Sequence, residues 1–183
     1  MDRDLVERAQ RGDRDAYEAL ARTSARRLYL TAYRIARDAD RAEDAVQQAL
    51  VAIWRELPSL RDPDRFEAWT YRLVVRFCLM DSRRARRTGV REIRIDETTS
   101  TGSDAYADTD LRDQLDRALA ELSPEHRAVV VLHHYAGFPL AEIAEIMGVP
   151  YGTVGSRLHH AMRAMRAAIT ADDRSPVVGG QPA

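Results

Sequence analysis

Apolar residues along the 183-residue chain recur mostly at threes and fours, the spacing of one helix face. In "DRDAYEALARTSARRLYLTAYRIARD", Tyr17, Leu20, Ala21, Leu28, Ala32 and Ile35 share such a face. The next segment opens with Asp40 and carries Glu43 three residues on, an aspartate version of the capping box. Its stripe is Ala45, Val46, Ala49, Leu50, Ile53, Trp54 and Leu57, and Pro58 closes it. A further predicted helix takes Asp62 as N-cap and Pro63 at its first position, where a missing N–H costs nothing. Phe66, Trp69, Leu73 and Phe77 form its inner face, and it runs out into "RRARR".

The pattern then stops. Residues 88–110, "TGVREIRIDETTSTGSDAYADTD", are rich in Gly, Ser, Thr and Asp and have no period. They read as a flexible, acidic linker. The short "REIRI" has the composition of a strand but too few residues to decide the matter. Helical spacing returns over 111–171 with Leu111, Leu115, Leu119 and Leu122. Ser123 caps the next helix, Pro124 starts it, and it runs through "EHRAVVVLHHYAG" to Gly137. "PLAEIAEIMG" follows, with Ile143, Ala144 and Met147 inward and Gly148 as the stop. Val154, Leu158, Ala161, Met162, Met165 and Ala168 mark the last helix. Two helices joined by a tight glycine turn make a helix-turn-helix pattern. Residues 172–183, "DDRSPVVGGQPA", read as a disordered tail. The expected fold is all-α: two small helical domains, 1–87 and 111–171, with the helix-turn-helix in the second.

Charge changes this picture. The formal net charge of −1 conceals a segregation. Arg72 to Arg94 holds eight arginines against Asp81 and Glu92, a balance of +6. Asp96 to Asp116 holds seven acids against Arg112, a balance of −6. Such asymmetry implies an anionic partner for the basic part. All 28 basic residues are arginine, which reflects genome composition more than selection at sites. No apolar run reaches the roughly 18 residues a membrane span needs. The charged start, "MDRDLVERAQRGD", has no apolar signal core, which leads to the expectation of a cytoplasmic protein. The lone cysteine, Cys78, forms no intramolecular disulfide and no zinc finger, and reads as a small buried hydrophobe.

Candidate chemistry centres on nucleic acid. Gly152 and Gly155 stand at the start of the last helix, where each costs about 1 kcal/mol against alanine. Two explanations compete: close approach of that helix end to DNA, or packing against the preceding helix. On the DNA reading, Thr153, Ser156, Arg157, His160 and Arg163 are the reachable side chains. The cluster Arg83, Arg84, Arg86, Arg87 follows a helix bearing Trp69, Tyr71 and Phe77, a composition suited to single-stranded nucleic acid. Trp69 and Phe66 read as core, and Tyr71, one position off their stripe, as the residue for base contact. On physical grounds alone, Asp44, Gln47 and Gln48 form an ordinary solvent face. His133-His134 and His159-His160 are adjacent pairs whose side chains diverge by about 100°, a poor geometry for chelation, so no metal is expected. No nucleophile, base or phosphate-loop pattern stands out, so neither an enzyme nor a cofactor is expected.

Taken together, these features resemble the extracytoplasmic-function sigma factors, small two-domain initiation factors of bacterial RNA polymerase. The resemblance covers nearly all of residues 13–170. "DRAEDAVQQALVAIWRELPSL" is similar to the family's segment that docks on core polymerase. "FEAWTYRLVVRFCLMDSRRARR" is similar to its promoter-melting and minus-ten-reading helix. "LSPEHRAVVVLHHYAGFPLAEIAEIMGVPYGTVGSRLHHAMRAMR" is similar to its minus-thirty-five domain. The resemblance implies that Asp44, Gln47 and Gln48 contact core polymerase. It implies that Tyr71, Arg72, Arg76, Arg83, Arg84, Arg86 and Arg87 serve minus-ten recognition and melting. It assigns Gly152, Thr153, Ser156, Arg157, His160 and Arg163 to duplex DNA, and implies an anti-sigma factor as a further partner. The chain departs from the family at four positions. Arg76 stands where many members have asparagine, Met80 where many have aspartate, Gly155 where many have a basic residue, and His160 where many have arginine. Two rival readings remain: a stand-alone helix-turn-helix repressor, which predicts a dimer on a palindromic site, and an enzyme acting on nucleic acid, for which only Asp81 lies near the basic helix.

Overall fold

The structure, a computed structural model, describes residues 3–87 and 106–172. The expected linker up to residue 105, the "REIRI" segment and the expected tail beyond 172 lie outside the described residues. Among the described residues the chain forms helices and turns and no strand. In order these are α1 (Arg3–Gln10), α2 (Arg14–Ala36), α3 (Ala39–Glu56), α4 (Phe66–Arg87), α5 (Tyr106–Ala120), α6 (Pro124–Val130), α7 (Leu140–Met147) and α8 (Tyr151–Asp172). Helix α5 thus begins five residues before 111, inside the segment expected to be linker.

Local chemistry sets the helix ends. The Asp13 side chain accepts a hydrogen bond from the Ala16 N–H at 3.0 Å and starts α2. Helix α2 stops at Arg37, whose φ of 58° is left-handed. Asp38 is then extended and accepts from the Arg41 N–H at 2.9 Å, so it is the N-cap of α3. This corrects the expected Asp40–Glu43 capping box. The left-handed Arg37 ends one helix two residues earlier than the sequence implied, and Asp40 falls inside the first turn of the next, where its charge suits the helix dipole. Asp62 does cap, accepting from the Asp64 N–H at 3.0 Å, but Pro63 opens a single 3₁₀ turn (Pro63–Arg65) before α4. Ser123 caps α6 through the His126 N–H, as expected. The helix after it changes its hydrogen-bond spacing midway: residues Val131–Tyr135 form a π turn, and Gly137, at φ 80°, ends it.

Helices α1–α4 form one module. Its core includes Val6, Leu20, Leu28, Ile35, Ile53, Leu57, Phe66, Val74 and Cys78. Three aromatic positions are more open than their stripes implied: Trp54 is 48% exposed and Trp69 and Phe77 are half-buried. The reason is rotation. The buried line of α4 runs through Phe66, Thr70, Leu73, Val74 and Cys78. On α3 it runs through Ala42, Ala45, Val46, Ala49 and Ile53, mostly small residues that let neighbouring helices come close.

Helices α5–α8 form the second module. A small cluster of Ala118, Leu122, Val130, Ala161 and Met165 joins α5, α6 and α8. The rest of its apolar surface, with Val129, Leu132, Phe138, Ile143 and Val154, is continuous with the core of the first module. One residue pins the seam. Arg127 is 1% exposed. Its guanidinium donates to the Ile35 carbonyl of α2 at 2.7 Å and to the Leu122 and Leu119 carbonyls at 2.8 and 3.0 Å. Each hydrogen bond from a charged group contributes about 1.5–3 kcal/mol, and removing the group leaves buried carbonyls unmet.

Candidate nucleic-acid and polymerase interfaces

Helix α3 turns its small-residue line inward, so its outer line is fixed by the 3.6-residue period. Asp44, Gln47 and Gln48 are all exposed on it. Val51 and Trp54 continue the same line and are 51% and 48% exposed. Trp54 is held edge-on against Tyr17 of α2, with ring centroids 4.6 Å apart, and the Tyr17 hydroxyl donates to the Leu50 carbonyl at 2.8 Å. The result is a polar strip ending in two large, pre-positioned apolar side chains. The sequence reading missed Val51 and Trp54 as surface residues. The signal was available: Val51 lies four residues after Gln47, and Trp54 three after Val51.

Helix α4 carries the arginines outward. Arg72, Arg76, Arg83, Arg84, Arg86 and Arg87 are all exposed. Arg76 lies over the Phe77 ring at 5.0 Å. Tyr71 does not join them, and the expectation of an accessible base-contact residue is corrected here. It is 5% exposed and meets Phe138 of the second module edge-on, with centroids 4.9 Å apart. Being one position off the Phe66–Trp69 stripe turned it toward the other module rather than toward solvent. Burial also pushes its phenol above the ordinary value.

The second module touches the basic end of α4 as well. Glu125 at the start of α6 accepts from Arg86 at 3.1 Å and lies 3.8 Å from Arg83. Burial raises the Glu125 carboxyl, but its backbone N–H bond and the charges of Arg86 and Arg83 outweigh that and hold it below the ordinary value. Three further contacts cross the seam: Arg34 over the Tyr135 ring at 3.8 Å, Arg37 to Asp116 at 3.4 Å, and Arg65 to Glu145. In this arrangement part of the surface assigned to DNA melting is occupied by the chain itself.

Helices α7 and α8 form the helix-turn-helix. Gly148, at φ 64°, ends α7, and Val149 N–H returns to the Ala144 carbonyl at 3.0 Å, closing a glycine C-cap. Gly152, Ser156, His160 and Arg163 are exposed along α8, and Thr153 and Arg157 are half-buried beside them. A β-carbon placed on Gly152 or Gly155 would meet nothing within 4 Å. The packing explanation for these glycines is therefore set aside, and the bare backbone faces open space. Tyr151, His159 and Arg166 of the same helix are exposed as well, and of these Tyr151 was not singled out from sequence.

Among the described residues no group of three His, Cys, Asp or Glu is placed to hold a metal ion, and no helix is long and apolar enough to cross a membrane.

Sigma-70 region 2 matches residues 20–88, and sigma-70 region 4 matches residues 112–165. The extracytoplasmic-function sigma factor SigL of Mycobacterium tuberculosis is 38% identical over 146 residues, covering 76% of this chain and 80% of SigL. Among solved structures, CnrH in complex with the cytosolic domain of CnrY superposes with a TM-score of 0.66 at 25% identity, covering 93% of this chain and 98% of that one. The sigma factor RpoE of Bartonella quintana, solved with the anti-sigma factor NepR, shares the fold at TM-score 0.66 and 24% identity, covering 85% of this chain and 98% of that one. The chain belongs to the extracytoplasmic-function sigma factors. It is a transcription initiation factor that directs RNA polymerase to promoter DNA.

Proposed function

We propose that the outer line of α3 is the polymerase-docking surface, with Asp44, Gln47 and Gln48 making polar contacts and Val51 and Trp54 supplying the apolar anchor. Residues 1–87 act as the polymerase-binding and minus-ten domain, and residues 111–171 as the minus-thirty-five domain. Arg72, Arg76, Arg83, Arg84, Arg86 and Arg87 hold the phosphates of the melted strand, and Tyr71 stacks on a base once Phe138 has withdrawn. Gly152, Thr153, Ser156, Arg157, His160 and Arg163 serve the duplex. The chain has no catalytic activity of its own, acts in the cytoplasm where polymerase is, and is held in check by an anti-sigma factor.

The observation that carries this reading is the exposed Val51–Trp54 pair at the end of an exposed polar strip. Large exposed apolar residues rimmed by polar ones mark protein interaction sites, and tryptophan is a frequent energetic anchor there. Because Tyr71 and Arg86 are engaged with the second module while α3 is open, polymerase binds first and the two modules part on it. Tethering both modules to one enzyme then raises their effective concentration on one promoter.

The test is a promoter-binding titration of the full chain with and without core polymerase. Weak, salt-sensitive binding by the free chain and tight binding with core enzyme is the expected result. Nanomolar, polymerase-independent binding to a palindromic site would overturn it in favour of a repressor.

A further inference from the structure

Two histidines from different helices meet beside the DNA-facing side of α8. His126 belongs to the first turn of α6 and His160 to the third turn of α8, and their ring centroids are 6.5 Å apart with the planes inclined at 48°. The ring of His126 is fixed: Ser123 Oγ lies 3.0 Å from its Nδ1, which leaves Nε2 as the nitrogen open to a ligand. His160 is exposed, and His159 beside it points elsewhere, its ring 5.8 Å away at 75°.

The charges around the pair are of both signs. Glu125 lies next to His126 in sequence but is committed to Arg86 and Arg83 on α4. From α8, Arg157 and His160 face His126, and their positive charge adds to burial in disfavouring its protonation, against a smaller opposing pull from Glu125. Two facing imidazoles with the charge of Arg157 close by, and with the nearest carboxylate, Glu125, engaged by Arg86, suit an anion of tetrahedral shape. Two hydrogen bonds of about 2.8 Å to separate oxygens of one phosphate fit rings at this separation when both tilt toward it.

We infer that His126 and His160 together hold one backbone phosphate of duplex DNA, and that protonation of the pair controls this grip. The inference rests on α8 facing DNA and adds α6 to that surface. His126 was not among the residues expected to bind DNA. The clamp also gives a role to the departure at position 160, where a histidine stands in place of an arginine and makes the contact conditional on pH.

The direction follows from linkage. In the free chain burial, with the charges of Arg157 and His160 added to it, lowers the pKa of the His126 ring and disfavours its protonation. A bound phosphate favours the charged ring, so binding takes up protons and strengthens as pH falls. Each imidazole whose pKa rises by one unit on binding tightens it by up to about tenfold below the free pKa.

The experiment measures affinity of the full chain for a fluorescent promoter duplex between pH 5.5 and 8 at fixed salt. It compares the native chain with His126→Gln/His160→Gln, with His160→Arg, and with His134→Gln as a remote control. Histidine ring signals are followed by NMR in the same titrations, using inorganic phosphate as the comparison ligand. The native chain and His134→Gln should tighten by about tenfold or more toward low pH. The double variant should be flat, and His160→Arg should bind tightly with a reduced pH slope. An unchanged slope in the double variant would overturn the clamp. Ring shifts with inorganic phosphate but none with duplex would overturn the assignment to DNA. Arg163→Ala separates the two levels: if it too leaves duplex affinity unchanged, the α8 reading fails and the clamp falls with it.

Discussion

Helices α3 and α4 are neighbours in one module, yet their outer faces are in opposite states. That of α3 is open from Asp44 to Trp54. That of α4 is partly covered, with Tyr71 under Phe138 and Arg83 and Arg86 around Glu125. Sequence treats the two alike, since each is an amphipathic helix with a polar outer side. The difference comes from the second module, whose acidic and aromatic residues match the basic and aromatic residues of α4 and have no counterpart for α3. The contrast implies an order of events: a surface that is open can be used before a surface that must first be uncovered.

The strongest way to break this comparison is to spoil the open face. Asp44→Arg should lower polymerase-dependent promoter affinity by more than about a hundredfold, the scale of a disrupted interface hot spot. Binding of free chain to DNA should not change. Parallel titrations with and without core enzyme check both halves, and a variant that binds promoter normally with polymerase would remove α3 from the interface.

The next largest effect should come from uncovering the other face. Phe138→Ala removes the ring against Tyr71, an aromatic pair worth about 0.5–1.5 kcal/mol beyond the area it buries. The free chain should then bind single-stranded minus-ten DNA about tenfold more tightly, because a shift of about 1.4 kcal/mol in the closed-to-open equilibrium is tenfold in population. Fluorescence anisotropy with a labelled oligonucleotide measures it. Unchanged affinity, with the module still folded by circular dichroism, would mean that the seam does not restrain Tyr71.

Gly155→Arg sharpens the contrast within the second module. Open space surrounds the position, so the substitution should fit without strain and raise helix stability by roughly 0.5–1 kcal/mol. Duplex affinity should rise several-fold and steepen in salt by about one phosphate contact. A lowered melting temperature would show that the site is less open than its geometry indicates.

The smallest effect concerns pH at the seam. The Glu125 carboxyl titrates below its ordinary 4.5, so its contribution is present above that value and is lost as pH falls through the lower, folded one. Glu125→Gln should therefore raise free-chain affinity for single-stranded DNA by no more than about fivefold at pH 7, since surface ion pairs are worth up to about 1 kcal/mol. That increment should vanish when both proteins are compared at strongly acidic pH.

Much of the fold was legible because helix period, proline and glycine speak locally. Asp62, Pro63, Ser123, Pro124 and Gly148 end or start helices where their own backbone preferences say they should. What sequence could not supply was rotation. Trp54 and Tyr71 are both aromatic and both sit beside an apolar stripe; one emerged exposed and the other buried, because the outcome depends on which helix packs opposite. The same holds for the site. The arginine run was visible as charge, but its pairing with Glu125, some forty residues on, depends on a seam between modules. Arg127 reads as one more surface arginine in "PEHRAVV" and is instead the most completely buried cation of the seam. Gly152 and Gly155 left two explanations open, and only the empty space around them decided between them.

The lone cysteine has a practical consequence. Cys78 is 2% exposed in the core of the first module, and burial, reinforced by the charge of Asp81, pushes its thiol up to about 12. Maleimide dyes react with the thiolate, so the native chain is silent toward them under ordinary labelling conditions. A pair of cysteines introduced on the exposed sides of α3 and α8 would carry donor and acceptor fluorophores with no need to delete the native thiol. The proposed separation of the two modules on meeting polymerase then becomes a distance that can be watched, molecule by molecule, in real time.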